Sequence, residues 1–297
     1  MLWLAALFLD LAPATIITFA KGEEIKEAII NKIISKKRNK GFNTGSQSTS
    51  SDLTLPKIEI YHLDLMSLDS VKKFSSQIIA EKRDIDILIN CAGIQTGQNK
   101  VRLNTLDQVE IHFGVNYLAH FALTVLLLPT LARTSAVNNE PSRVDFNWDD
   151  MNSLASFEGY KKAYKRAELA KFTMTSYFPI AAREVEKEPK SKIQFICVSP
   201  KATKTNLVHH NFWIIEKLRE KFIYEKASKS GLLVAFAALS NFSESQTEFP
   251  ILINSFSKTI SKDAFNSEKL LEMRKLWLLS QNWSRIGLDN TDLDMHN

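Results

Sequence analysis

The chain opens with two apolar stretches of different texture. Residues 2–12 read as a short helical piece, and "ATIITF" after them reads as a buried strand because its β-branched residues suit a pleated surface. Next, in "KGEEIKEAIINKIISKKRN", Ile25, Ile29 and Ile33 recur every four residues, with Glu23 and Glu24 leading and Lys36, Lys37 and Arg38 closing. That is a one-sided apolar stripe with end charges that complement a helix dipole. Residues 41–52, "GFNTGSQSTSSD", offer little to bury and predict a mobile loop. Beyond the loop come a strand, "KIEIYHLDL", a helix, "SLDSVKKFSSQIIAEKRD", and a second strand, "IDILINCAGI", whose unbroken apolar core predicts cover on both faces. A long helix is expected over roughly Thr105 to Arg133. After a polar segment follow a helix over "GYKKAYKRAELAKF" and a strand at "SKIQFICVS". Strands alternating with helices predict a parallel sheet, and no boundary divides the chain, so residues 1–297 are expected to form one domain.

Composition narrows the class. Among 297 residues, 44% are apolar and 24% charged, which suits a packed domain and excludes disordered and fibrous chains. The formal charge of +5 comes from 38 Lys and Arg against 33 Asp and Glu, too slight an excess to imply nucleic-acid binding. Two cysteines, Cys91 and Cys197, make neither a disulfide framework nor a metal-ligand set, so no metal is expected and a reducing, intracellular compartment fits. The first twenty residues are apolar enough to suggest a membrane span. Asp10, Pro13 and the lack of a basic residue before the run count against it, so membrane association is an option that is not favoured.

In order, "LDL", "ILINCAG", "VNYLAHFALT", "AYKRAELA" and "VSPKATKTNL" resemble the short-chain dehydrogenases, within them the retinol-dehydrogenase-like branch. The resemblance runs from about residue 5 to "RKLWLLSQNWSRIGL". It implies a doubly wound, Rossmann-like parallel α/β sheet with a nicotinamide dinucleotide, NADP or NAD, across its carboxyl edge. By that resemblance Asp64 of "LDL" bonds the adenine, while Asn90, Ala92 and Gly93 line the adenosine side. Thr205 matches a cofactor-binding threonine. Asn116 matches the asparagine that kinks the long helix and holds a relay water, and Tyr164 matches the catalytic tyrosine.

The chemistry of such enzymes passes a proton between tyrosine and a substrate oxygen near neutral pH, although free tyrosine titrates near 10. In the family, a lysine one helical turn later favours the tyrosinate and a serine donates to the substrate oxygen. Here Glu168 stands where the lysine belongs. A carboxylate there reverses the electrostatic effect, and Lys161 and Lys171, on the same helical face, compensate only in part. The chain passes from "SRV" straight to "DFNWDDMN", so the strand carrying the serine is expected to be missing, and Ser153 and Ser156 match nothing catalytic. The first strand and its glycine-rich phosphate turn are expected to be missing too, since "NTGSQSTSS" has the wrong spacing and follows a helix. Lys201 occupies a turn position where glycine is expected. Lys21 gives only a faint NADP preference.

Two functions are consistent with this pattern. The first is an NAD(P)-dependent oxidoreductase for retinoid-like or other apolar alcohols and carbonyls, with weak cofactor binding and with turnover impaired or absent. The alternative is a non-catalytic binding protein reusing the fold. In either case a homodimer is compatible with the resemblance, and the expected location is cytoplasmic or on the cytoplasmic face of a membrane.

Overall fold

The computed structural model describes residues 4–8, 15–19, 57–83, 85–96, 101–131, 133–137, 145–186, 193–200, 203, 225–240, 251–254, 258–260 and 267–286. The expected loop at 41–52, the helix around Ile25–Ile33, Lys201 and Thr205 lie outside the described residues.

Strands β1 (Leu4–Phe8), β2 (Thr15–Phe19) and β3 (Lys57–Ile60) form one sheet. Strands β4 (Leu88–Asn90), β5 (Arg133–Val137), β6 (Gln194–Ser199), β7 (Ile251–Asn254) and β8 (Lys258–Ile260) form another. Strand β1 lies beside β4, so the order across both sheets is 3-2-1-4-5-6-7-8, that of a doubly wound fold. Helix α1 (Leu68–Ala80) follows β3. A helical run through 111–130 joins β4 to β5, and within it α2 is Ala119–Leu127. Helix α3 (Tyr160–Glu186) joins β5 to β6, α4 (Ala227–Leu239) joins β6 to β7, and α5 (Ser267–Ser284) closes the chain.

Both strand positions expected to be missing are filled from neighbouring sequence. Residues 4–8, expected within a helix, form β1 and pair antiparallel with β2, Leu4 against Phe19 and Phe8 against Thr15. The direction follows from the connection: only residues 9–14 separate the two strands, whereas a parallel pair needs a crossover of a dozen or more. The second position is taken by β5, parallel to β4 (Asn90 against Ala136) and to β6 (Ala136 against Cys197). An interior strand position left open between β4 and β6 would leave two rows of backbone groups unpaired, so the segment after the long helix extends to fill it. That helix is correspondingly shorter than expected. It begins at Ile111 and ends at Thr130, where Pro129 sits in the last turn and Leu131 is already extended.

Strands β4 and β6 are covered on both faces. On one, Leu88 and Phe195 join Val71, Phe74, Phe121, Tyr177, Phe178, Leu276 and Trp277 in the main core, with Phe178 stacked on Phe195 at a centroid distance of 5.3 Å. On the other, Ile87 and Ile89 pack with Ala238 of α4, and Ile196, Val198 and Ile253 pack with Ala237. Successive residues of β4 and β6 therefore feed opposite cores, which explains their near-continuous apolar sequence. The Phe113–Thr130 run is long and apolar enough to cross a membrane, but 83% of it is buried against this core.

Candidate active site

In each parallel βαβ unit the helix starts at the carboxyl edge of the sheet. The first turns of the 111–130 run and of α3 therefore meet beside the end of β4. The Phe113–Leu118 segment is π-helical, with the Ala119 N–H reaching back five residues to the Gly114 carbonyl. Such single-turn widenings occur mostly where a helix carries function. Here the widened turn contains Asn116. Its side-chain amide clamps Ile94, accepting from the Ile94 N–H at 2.7 Å and donating to the Ile94 carbonyl at 2.8 Å. This fixes the chain just past Asn90–Gly93, with both ends of the amide committed to backbone.

The turn after β4 is held from three sides. The Asn90 Nδ2 donates to Thr124 Oγ1 at 2.9 Å, and the Asn90 carbonyl accepts from Lys171 Nζ at 3.0 Å. Ala92 is buried. A Cβ added at Gly93 would meet Asn116 Oδ1 at 3.5 Å, an ordinary contact, so the surrounding protein leaves room above this turn. Asp64 lies between β3 and α1, where its Oδ1 accepts from the Met66 N–H at 2.9 Å. One carboxylate oxygen thus shapes the turn ahead of α1.

Tyr164 is half-buried near the start of α3, its ring edge-on to His112 at 6.1 Å. His112 and Glu110 were not distinguished by sequence pattern. Glu110 Oε2 accepts from the His112 and Phe113 N–H groups at 3.1 and 2.9 Å, capping the helix, while Oε1 accepts from His112 Nδ1 at 2.7 Å. The other ring nitrogen faces Thr96, 3.2 Å from its N–H. A carboxylate followed two residues later by histidine at a helix start was the available signal.

Glu168, one turn after Tyr164, is buried, and so is Lys171. Burial pulls the Lys171 ammonium below the usual lysine range, and Glu168 opposes that pull ahead of Cys91 and Cys197. The charge order along α3 is therefore tyrosine, carboxylate, ammonium, with the ammonium turned to the Asn90 carbonyl. The turn at Asn90–Gly93 leaves room beside Gly93. One helical turn after Tyr164 the chain carries Glu168 and not a lysine.

Residues 24–141 match the short chain dehydrogenase family. Over 199 residues the chain is 30% identical to a polyprenol dehydrogenase of Homo sapiens, covering 62% of this chain and 57% of that protein. It is 36% identical over 164 residues to the human retinol dehydrogenase 14, covering 51% of this chain and 44% of that one. The chain thus spans about half the length of the curated relatives it matches. Among solved structures, an uncharacterised protein from Mycobacterium paratuberculosis superposes with a TM-score of 0.59 at 22% identity, covering 80% of this chain and 79% of that one, which supports the fold. These matches support a short-chain dehydrogenase of the retinol-dehydrogenase-like branch.

Proposed function

We propose that the chain is an NAD(P)-binding oxidoreductase of this family whose substrates are retinoid-like or other apolar alcohols and carbonyls, with cofactor binding weakened and turnover impaired or absent. Asp64, Asn90, Ala92, Gly93 and Thr205 would contact the dinucleotide, and Tyr164 would be the proton donor with Asn116 supporting the turn beside it. The observation that carries the reading is the pair Glu168 and Lys171. The side chain one turn after Tyr164 is a buried carboxylate, and the next cation along that face is anchored on Asn90. A carboxylate in that place disfavours tyrosinate and so slows proton transfer. The expected location is cytoplasmic or the cytoplasmic face of a membrane, and a homodimer is compatible with the branch.

The test is a thermal-shift titration with NADPH and NADH, followed by turnover assays with retinal and a long-chain aldehyde. A small or absent shift with no turnover above background is expected. Micromolar cofactor binding would sink the weak-binding part, and measurable turnover would sink the impairment. A specific apolar ligand that binds without any cofactor would instead favour the non-catalytic alternative.

A further inference from the structure

We propose that one internal water is bound between Asn90, His120 and Lys171, donating to Asn90 Oδ1 and His120 Nε2 and accepting from the Lys171 ammonium. The three side chains line a cavity of about 20 Å³, measured as the space open to the centre of a water molecule, together with Thr124, Thr175 and Phe195. A single water needs roughly 10–15 Å³ by that measure. A space of this size accommodates one.

The hydrogen-bond inventory identifies the occupant. His120 Nδ1 faces the Asn116 carbonyl at 3.1 Å, and a carbonyl only accepts, so Nδ1 carries the proton. Burial holds His120 well below the usual histidine range, with the Lys171 charge pushing the same way, so the ring is neutral and Nε2 is a bare acceptor. Thr124 Oγ1 donates to the His120 carbonyl at 2.8 Å and must therefore accept from Asn90. This orients the Asn90 amide with Nδ2 toward Thr124 and leaves Oδ1 as a second acceptor. Asn90 and His120 are 4% and 2% exposed, and neither Asn90 Oδ1 nor His120 Nε2 has a hydrogen-bond partner among the described residues. Two buried acceptors left unpaired would be costly.

The missing partner must supply two donors. An anion supplies none, and a metal cation would sit against the Lys171 ammonium. Water supplies both, and its oxygen can accept one of the protons Lys171 does not give to the Asn90 carbonyl. So placed, the water makes three hydrogen bonds and joins three elements, β4 through Asn90, α2 through His120 and α3 through Lys171. It fixes the strand end relative to both helices that flank the site, and it does so whether or not the protein turns over.

A high-resolution crystal structure of the full chain tests this directly. The expected result is a water peak within about 2.7–3.2 Å of both Asn90 Oδ1 and His120 Nε2. An empty cavity, an ion there, or Lys171 bonded directly to both acceptors would overturn the proposal. In solution, oxygen-17 relaxation dispersion detects long-lived internal waters. Thr175→Ile adds bulk facing the cavity and should remove one such water while the fold is retained. A folded Thr175→Ile protein with undiminished dispersion amplitude would overturn it too. If that variant does not fold, the wild-type crystal structure decides alone.

Discussion

The Lys171 ammonium donates to the main-chain carbonyl of Asn90 at 3.0 Å, tying the fourth turn of the helix that carries Tyr164 to the last residue of β4. The contact joins the proposed proton donor's helix to the proposed adenosine-side turn. It also explains how a buried cation is tolerated, since a carbonyl dipole and the Glu168 charge replace the water it has lost.

Replacing Lys171 tests the cost of that burial through pH. The folded-state pKa lies below the unfolded value near 10.4, so between the two the unfolded chain holds more protons. Stability from this group therefore rises as pH climbs through that window, and the penalty is fully present below the folded pKa. Lys171→Met should abolish the rise. Denaturant midpoints of wild type and variant, measured from neutral pH to roughly pH 10.5, should shift in the wild type's favour as pH increases, by at most about 1.4 kcal/mol per unit. A difference between the two proteins that does not vary with pH contradicts the buried-ammonium geometry.

Glu168 cannot be changed to lysine in isolation. A second ammonium at this buried position would remove the charge that supports Lys171 and face it with a like one. Glu168→Lys alone should lose about 3–5 kcal/mol, the usual cost of breaking a buried pair. Pairing it with Lys171→Gln should recover more than half of that loss. Thermal and chemical denaturation of the single and double variants measure it, and equal stability of the two would mean that Glu168 and Lys171 are not coupled.

The sequence made the sheet legible where periodicity reports burial. Strands "ILIN" and "QFICVS" are apolar on both faces because successive residues enter different cores, and such runs are hard to mistake. It misled where pairing, not pattern, decides conformation. Leu4–Phe8 has no intrinsic preference strong enough to settle helix against strand, and the short link to β2 makes it a strand. Arg133–Val137 is extended because β4 and β6 need a strand between them. At the site, the carboxylate of Glu168 one turn after Tyr164 was visible in the sequence. The direction in which Lys171 points depends on chain segments brought together from far apart, whereas the capping of the helix by Glu110 is a local contact whose signal lay in the sequence.

Gly114 marks a close approach inside the widened turn. A Cβ there would sit 2.3 Å from Cγ2 of Thr105, a buried and β-branched side chain with little freedom to move. Gly114→Ala should therefore destabilise by about 1–3 kcal/mol from overpacking, offset by up to about 1 kcal/mol of helix propensity. Thr105→Ser removes the clashing methyl and keeps the hydroxyl that accepts from the Val109 N–H at 3.2 Å. The double variant should regain most of the loss. If Thr105→Ser gives no rescue, the cost of the alanine arises elsewhere in the π-helical turn.

Cys91 gives a chemical probe of the proposed dinucleotide site. It is exposed in the turn between Asn90 and Ala92, whereas Cys197 is 1% exposed within β6, so a thiol-alkylating reagent should modify the native protein at Cys91 first, faster at high pH because desolvation pushes its thiol pKa up. If adenosine lies over this turn, bound NADPH or NADH covers the thiol, and alkylation slows in proportion to the free fraction, about tenfold when cofactor stands tenfold above its Kd. The protecting half can be identified without turnover: an adenine nucleotide should shield Cys91 and nicotinamide mononucleotide should not. Mass spectrometry of the modified peptide reports the rate. A rate unchanged at a cofactor concentration that independently shifts the melting temperature would place the dinucleotide away from Asn90–Gly93. Protection by the nicotinamide half alone would reverse the proposed orientation.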